Sequence, residues 1–172
     1  AFNQGKIVEE MNAEDIYRSF GNLSVQAVDL AKELSASVER NLKEHNGSPA
    51  SLQKTPELLE HLLEEELSRL TGALERSDAS GVFLLLDATV NPTLPDAENS
   101  RACLYLKNME PNIVNGMAAN LRLSFGPMTI ARNNGIHILP QWQMELGVGK
   151  MPYFKEVMAI ARQERLPLSR LY

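Results

Sequence analysis

Five side chains in the second half of this 172-residue chain have the chemistry to hold a small polar ligand: Asp87, Arg101, Tyr105, His137 and Trp142. Arg101 carries a planar fork of N–H donors that matches a carboxylate in two places at once. Tyr105 supplies a hydroxyl on a rigid ring, and Trp142 a broad plane for walling or stacking. Asp87 can accept from an ammonium group or simply cap the turn that follows it. Each has a structural use as well. Arg101 can pair with Glu98 or Glu110, Tyr105 can pack across strands, and Trp142 can fill a core. His137, between Ile136 and Ile138, reads first as a hydrogen-bonded structural residue and second as a ligand group.

Enzyme signatures do not accompany these residues. The chain has no G-x-S-x-G, no H-E-x-x-H and no G-x-x-x-x-G-K-[ST]. Cys103 is the single cysteine and has no histidine near it in sequence, which excludes an internal disulfide, a C-x-x-C zinc knuckle and a C-x-x-C-H haem attachment. Gly147-Val148-Gly149-Lys150 lacks the following Gly-Lys-Ser or Gly-x-x-Gly that a phosphate loop between strand and helix carries. Glu64-Glu65-Glu66 reads as a solvated helix face, because consecutive helical residues point in different directions, and His61 is expected to face solvent beside it. The expectation is no metal, no cofactor and no catalysis by this segment. An enzyme assembled from residues distant in sequence would announce itself by carboxylates converging on His137 in a cleft.

Charge divides the chain. Residues 1–80 hold 8 basic and 15 acidic side chains (−7), whereas residues 81–172 hold 9 and 7 (+2), for a net −5. The acidic half argues against a nucleic-acid surface. Seven of the ten aromatic residues follow residue 80, so the groups that wall pockets concentrate there. The longest apolar run, Val82 to Leu86, is stopped by Asp87, far short of the roughly 20 residues that cross a bilayer. The opening AFNQGK has no initiator Met and no leader pattern, which reads as the start of a cut fragment.

The elements that must position these groups follow from periodicity. Apolar residues three or four apart from Gln4 to Glu44 predict a long amphipathic helix, a rod of roughly 60 Å. Its run Phe20, Leu23, Ala27, Leu30, Leu34 steps like a seam, suited either to its own domain or to a homodimer. His45-Asn46-Gly47-Ser48-Pro49 ends it. Thr55-Pro56-Glu57 starts a second helix, expected to run unbroken to about Arg76 on a broad leucine face. Val82–Leu86 predicts a strand buried on both faces, and 87–95, with two prolines, a connection. Arg101, Cys103, Tyr105 and Lys107 alternate with Ala102, Leu104 and Leu106, giving a strand whose polar face is the first place to seek a binding surface. A helix is expected from about Asn112 to Leu123, a brief helix over Met128 to Arg132, a turn at Asn133-Asn134-Gly135, one extended strand from Ile136 to Leu146, and a last helix from Pro152 to Arg165.

Three stretches carry a family likeness: GVFLLLDATVNP at 81–92, SRACLYLKNMEPN at 100–112, and FGPMTIARNNG…PQW ending at Trp142. In these stretches and in the order of its elements over about residues 4–146, the chain resembles the extracytoplasmic Cache domains. These are PAS-like sensor modules set between two membrane helices in bacterial histidine kinases, chemoreceptors and related receptors. The resemblance implies an α+β fold, with a helical stalk and supporting helix over residues 1–79 and a PAS-like antiparallel sensor sheet over 80–172. It implies a periplasmic location, membrane attachment through flanking segments, and a small polar ligand of the carboxylate or amine class held by Arg101, Tyr105, Trp142, Asp87 and His137. Ligand closure would bias one packing of the long helix over another by a few kcal/mol. The family's sheet has about five strands, and three are placed here. Either closing strands lie beyond Tyr172, leaving sheet and pocket incomplete, or the segment after Gly147 departs from the family. The competing reading is a protein-interaction module that works through the acidic helical half, with Phe20, Leu23, Leu30 and Leu34 as its seam.

Overall fold

The computed structural model describes residues 25–149 apart from 78 and 112–116, together with 151, 152, 155, 156 and 159. Helix α1 is seen over residues 25–44, and the earlier part of the expected rod lies outside the described residues. It stops as its C-terminal sequence predicts. Asn46 adopts a left-handed φ of 51°, and the Gly47 N–H reaches back to the Leu42 carbonyl at 2.7 Å. The seam residues Leu30 and Leu34, with Val38 and Leu42 further along the same helix, turn inward onto the protein's own core, with Leu34 and Leu42 buried. Phe20 and Leu23 lie outside the described residues.

A short helix α2 (Pro49–Leu52) leads to α3 (Pro56–Glu65), where Thr55 stands at the N-cap position, Pro56 opens the first turn and Glu57 follows it, although the threonine hydroxyl makes no capping bond. The expected single helix is in fact two, since the chain breaks at Glu66 and resumes as α4 (Leu67–Glu75). Leu59, Leu62, Leu63 and Leu70 are wholly buried. Each contributes about 2 kcal/mol by leaving water. The expectation of a solvated Glu64–Glu66 face is corrected at Glu66, which is 0% exposed. Position 66 falls four residues after Leu62 and three after Leu63, and so on the apolar stripe itself.

The helices cover one face of a mixed sheet made of β1 (Gly81–Leu85), β2 (Ser100–Asn108), β3 (Leu121–Phe125), β4 (His137–Gln143) and β5 (Glu145–Gly147). The order is β1-β2-β3-β4, with β5 added to β2. The fold class is α+β. Three pairings are antiparallel, while β3 and β4 run parallel across the helix α6 (Met128–Asn133). The helix expected to reach Leu123 ends instead at Asn120, as the short α5 (Met117–Asn120), and β3 begins at once. Leu121 and Leu123 alternate with Arg122, so the period of two decides locally, and pairing with β2 supplies the backbone partners. The single strand expected over 136–146 divides at Met144, because β5 leaves β4 to join β2. Pro140 lies on β4, the end strand of the path, where a missing N–H removes no interior ladder bond. Of the expected last helix, residues 152, 155, 156 and 159 are described, and they are helical.

One buried cluster unites α1, α3 and α4 with the strands: Leu34, Leu42, Leu63 and Leu70 share it with Leu104, Leu106 and Leu123. The helical and sheet halves therefore have a common interior. Among the described residues no helix is long and apolar enough to cross a membrane.

Candidate functional site

The sheet face turned away from the helices carries two cross-strand rows. In the first, Phe83, Tyr105 and Phe125 are register partners across β1, β2 and β3. Their rings touch, edge to face between Phe83 and Tyr105 with centroids 6.1 Å apart, and stacked between Tyr105 and Phe125 at 6.2 Å with 18° between planes. In the second, Lys107, Arg122 and His137 are partners across β2, β3 and β4. Paired residues in a sheet share a face, and Lys107 lies two residues along from Tyr105, so both rows stand on the same side. The Lys107 Nζ sits 5.4 Å from the Tyr105 ring centroid and links the rows.

This face is open at one end and closed at the other. Phe83 is 58% exposed, which corrects the expectation that Val82–Leu86 is buried on both sides. Cys103, on the same face further along β2, is 1% exposed, and burial pushes its thiol up to about 12. It is a packed apolar residue and not a nucleophile.

Beyond Cys103 the face ends in a polar anchor. Arg101 Nε donates to Asp87 Oδ1 at 2.8 Å, and its Nη1 donates to the carbonyls of Glu98 and Ser100 at 2.9 and 2.8 Å. The structure thus brings two of the candidate ligand groups onto one another. Next to them Glu145 binds the β1–β2 connection to β5. Its carboxylate accepts from the Val90 N–H at 2.7 Å, from the Ser100 hydroxyl at 2.5 Å, and from the Thr89 hydroxyl, which lies 2.7 and 2.9 Å from the two oxygens. No motif in the sequence marks Glu145. The one signal was a lone acid in an apolar, Gly-flanked strand.

Trp142 is half-buried against the core, and its indole N–H donates to the Gly126 carbonyl at 2.9 Å. Gly126 itself has φ 135°, and a Cβ there would stand 3.0 Å from the Cys103 carbonyl, so this turn requires glycine. His137 is exposed on β4, and among the described residues no carboxylate pairs with it. Tyr105 is the candidate that sits in the middle of the open face. Phe83, Phe125 and Arg122 join it there, and only strand register reveals them.

Among the described residues, hollows also lie elsewhere. One of about 480 Å³ is lined by His45, Asn46, Ser51, Glu57, Leu58 and His61, with the two imidazoles edge to face at 5.6 Å. One ring nitrogen of each is engaged, His45 Nδ1 with the Asn41 carbonyl and His61 Nε2 with Glu65. Another, about 380 Å³, runs between Glu64, Leu67 and Thr71 on one side and Leu121, Asn134 and Ile136 on the other. Among the described residues no three His, Cys, Asp or Glu side chains are grouped to hold a metal.

A scan against models of known protein families and searches of characterised proteins and of solved structures find no match to this chain.

Proposed function

We propose that this is a non-catalytic ligand-sensing domain of the Cache type, the extracytoplasmic part of a membrane signal-transduction receptor, which takes a small polar molecule on the open sheet face and passes the event to α1. The observation that carries the reading is a shared strand. On β2, Tyr105 and Lys107 stand on the open face while Leu104 and Leu106, their immediate neighbours, are wholly buried in the cluster that also holds Leu34 and Leu42 of α1. Close-packed interiors do not deform continuously, so a ligand that re-seats β2 favours one packing of α1 over another.

A thermal-shift screen of the chain against small carboxylates and amines tests the reading. A ligand-dependent rise in Tm is expected, accompanied by a changed distance between probes placed on Lys43 of α1 and on Glu110 just after β2. No shift with any compound, or a shift without any change in that distance, would count against sensing through α1.

A further inference from the structure

We infer that the ligand of the open face is an aryl-alkanoate, its ring lying on the Phe83–Tyr105–Phe125 row and its carboxylate meeting Lys107 and Arg122. The inference deepens the sensing reading and rests on it.

Three features select this chemistry together. The aromatic row is open at its edge: Phe83 is more than half exposed at the end of three touching rings. An aromatic guest gains there by area and by ring-to-ring geometry. The basic row is uncompensated. Among the described residues no carboxylate lies within ion-pair distance of Lys107 or Arg122, although the two are direct cross-strand partners. Like charges placed so are normally unfavourable, and an anion between them removes the repulsion. Arg122 is also held ready. Its Nη1 is fixed by the Ala119 and Leu121 carbonyls at 2.7 and 2.8 Å, leaving its other N–H groups for a carboxylate.

Spacing supplies the third feature. The rows stand two residues apart on β2, about 7 Å along the strand. A ring with a two- or three-atom tether spans that distance, and the Lys107 Nζ, 5.4 Å from the Tyr105 ring centroid, reaches toward it. A simple anion would leave the aromatic row wet, and an uncharged arene would leave the cations unpaired. A polyanion such as nucleic acid would meet the repulsion of a chain carrying −5, most of it in residues 1–80, which a single carboxylate largely escapes.

Calorimetry with 3-phenylpropionate and indole-3-acetate as probes, and with propionate and 3-phenylpropanamide as controls, decides the matter. The acids with rings should bind, and each control should bind about tenfold more weakly or worse. Phe83→Ala, at an exposed position, and Lys107→Ala should each weaken 3-phenylpropionate by about tenfold, with circular dichroism unchanged. Arg122→Gln should do the same. Equal binding of the amide and the acid, or an unaltered affinity in Phe83→Ala, would overturn the inference. If the ring-bearing acids fail but another compound in the carboxylate and amine screen shifts Tm, the aryl-alkanoate is wrong and sensing stands. If nothing in either set binds, both readings fall.

Discussion

Arg101 Nε lies 2.8 Å from Asp87 Oδ1, so the two residues best suited to grip a ligand's opposite charges neutralise one another across the β1–β2 connection. The pair is partly shielded, with side chains 14% and 30% exposed. Arg101 also ties down the carbonyls of Glu98 and Ser100. A ligand carboxylate at Arg101 would therefore compete with an existing carboxylate, whereas among the described residues no carboxylate pairs with Lys107 or Arg122.

Arg101→Ala is expected to lower stability by about 2 kcal/mol, and Asp87→Asn by about 1, because the arginine loses its carbonyl bonds as well as the ion pair. A double-mutant cycle in urea should give a coupling of about 1 kcal/mol. Additive single effects would mean that the pair contributes nothing.

Glu145 should matter more. Glu145→Ala removes the acceptor for a backbone N–H and two hydroxyls at a half-buried site, and is expected to cost about 3 kcal/mol. Limited proteolysis should then cut first between Asn91 and Asn99. A variant as resistant as the parent would show that the connection is held by other contacts.

Glu66 is a stability defect of the opposite kind. Its Oε2 meets Arg69 Nη1 at 3.1 Å, but Oε1 is buried with no hydrogen-bond partner. Replacing a buried, half-satisfied charge by an apolar group of similar size is neutral or favourable, and Arg69, 34% exposed, can turn to water. Glu66→Leu is expected to raise the urea midpoint by an amount worth about 1–2 kcal/mol. A lower midpoint would show that the α3–α4 break needs the carboxylate.

Cys103 makes alkaline stability pH-dependent. The folded thiol is held up at about 12 against an ordinary value of 9.0, so the unfolded chain ionises first and the folded one stays protonated. The thiol's contribution is intact below pH 9 and is lost as pH rises from 9 towards 12, at about 1 kcal/mol per pH unit. Urea midpoints of the parent, compared with Cys103→Ala between pH 8 and 10.5, should diverge in that direction. Parallel curves would refute it. Ellman's reagent should label native Cys103 only as fast as the protein opens.

Much of the scaffold was legible in the residues. Asn46 and Gly47 end α1, Pro56 opens α3, Arg101 to Lys107 alternate as β2, and Gly135 turns α6 into β4. In each case one residue's backbone preference or a simple period decides the structure. The acidic side chains misled, since Glu66 is charged yet lies on the leucine stripe, and only the interior shows how completely the chain buries it. The same holds for β3, where five alternating residues after a helical stretch are too few for periodicity to outweigh composition. The anchor and the site were beyond reach for a different reason. Glu145 meets Thr89 across 56 positions, Asp87 meets Arg101 across 14, and Lys107, Arg122 and His137 form a row through the pairing of three strands. Local sequence sets which way a side chain points along its own strand. Which side chains become neighbours is set by register, and register is decided by the burial of the opposite face, a property of the folded whole.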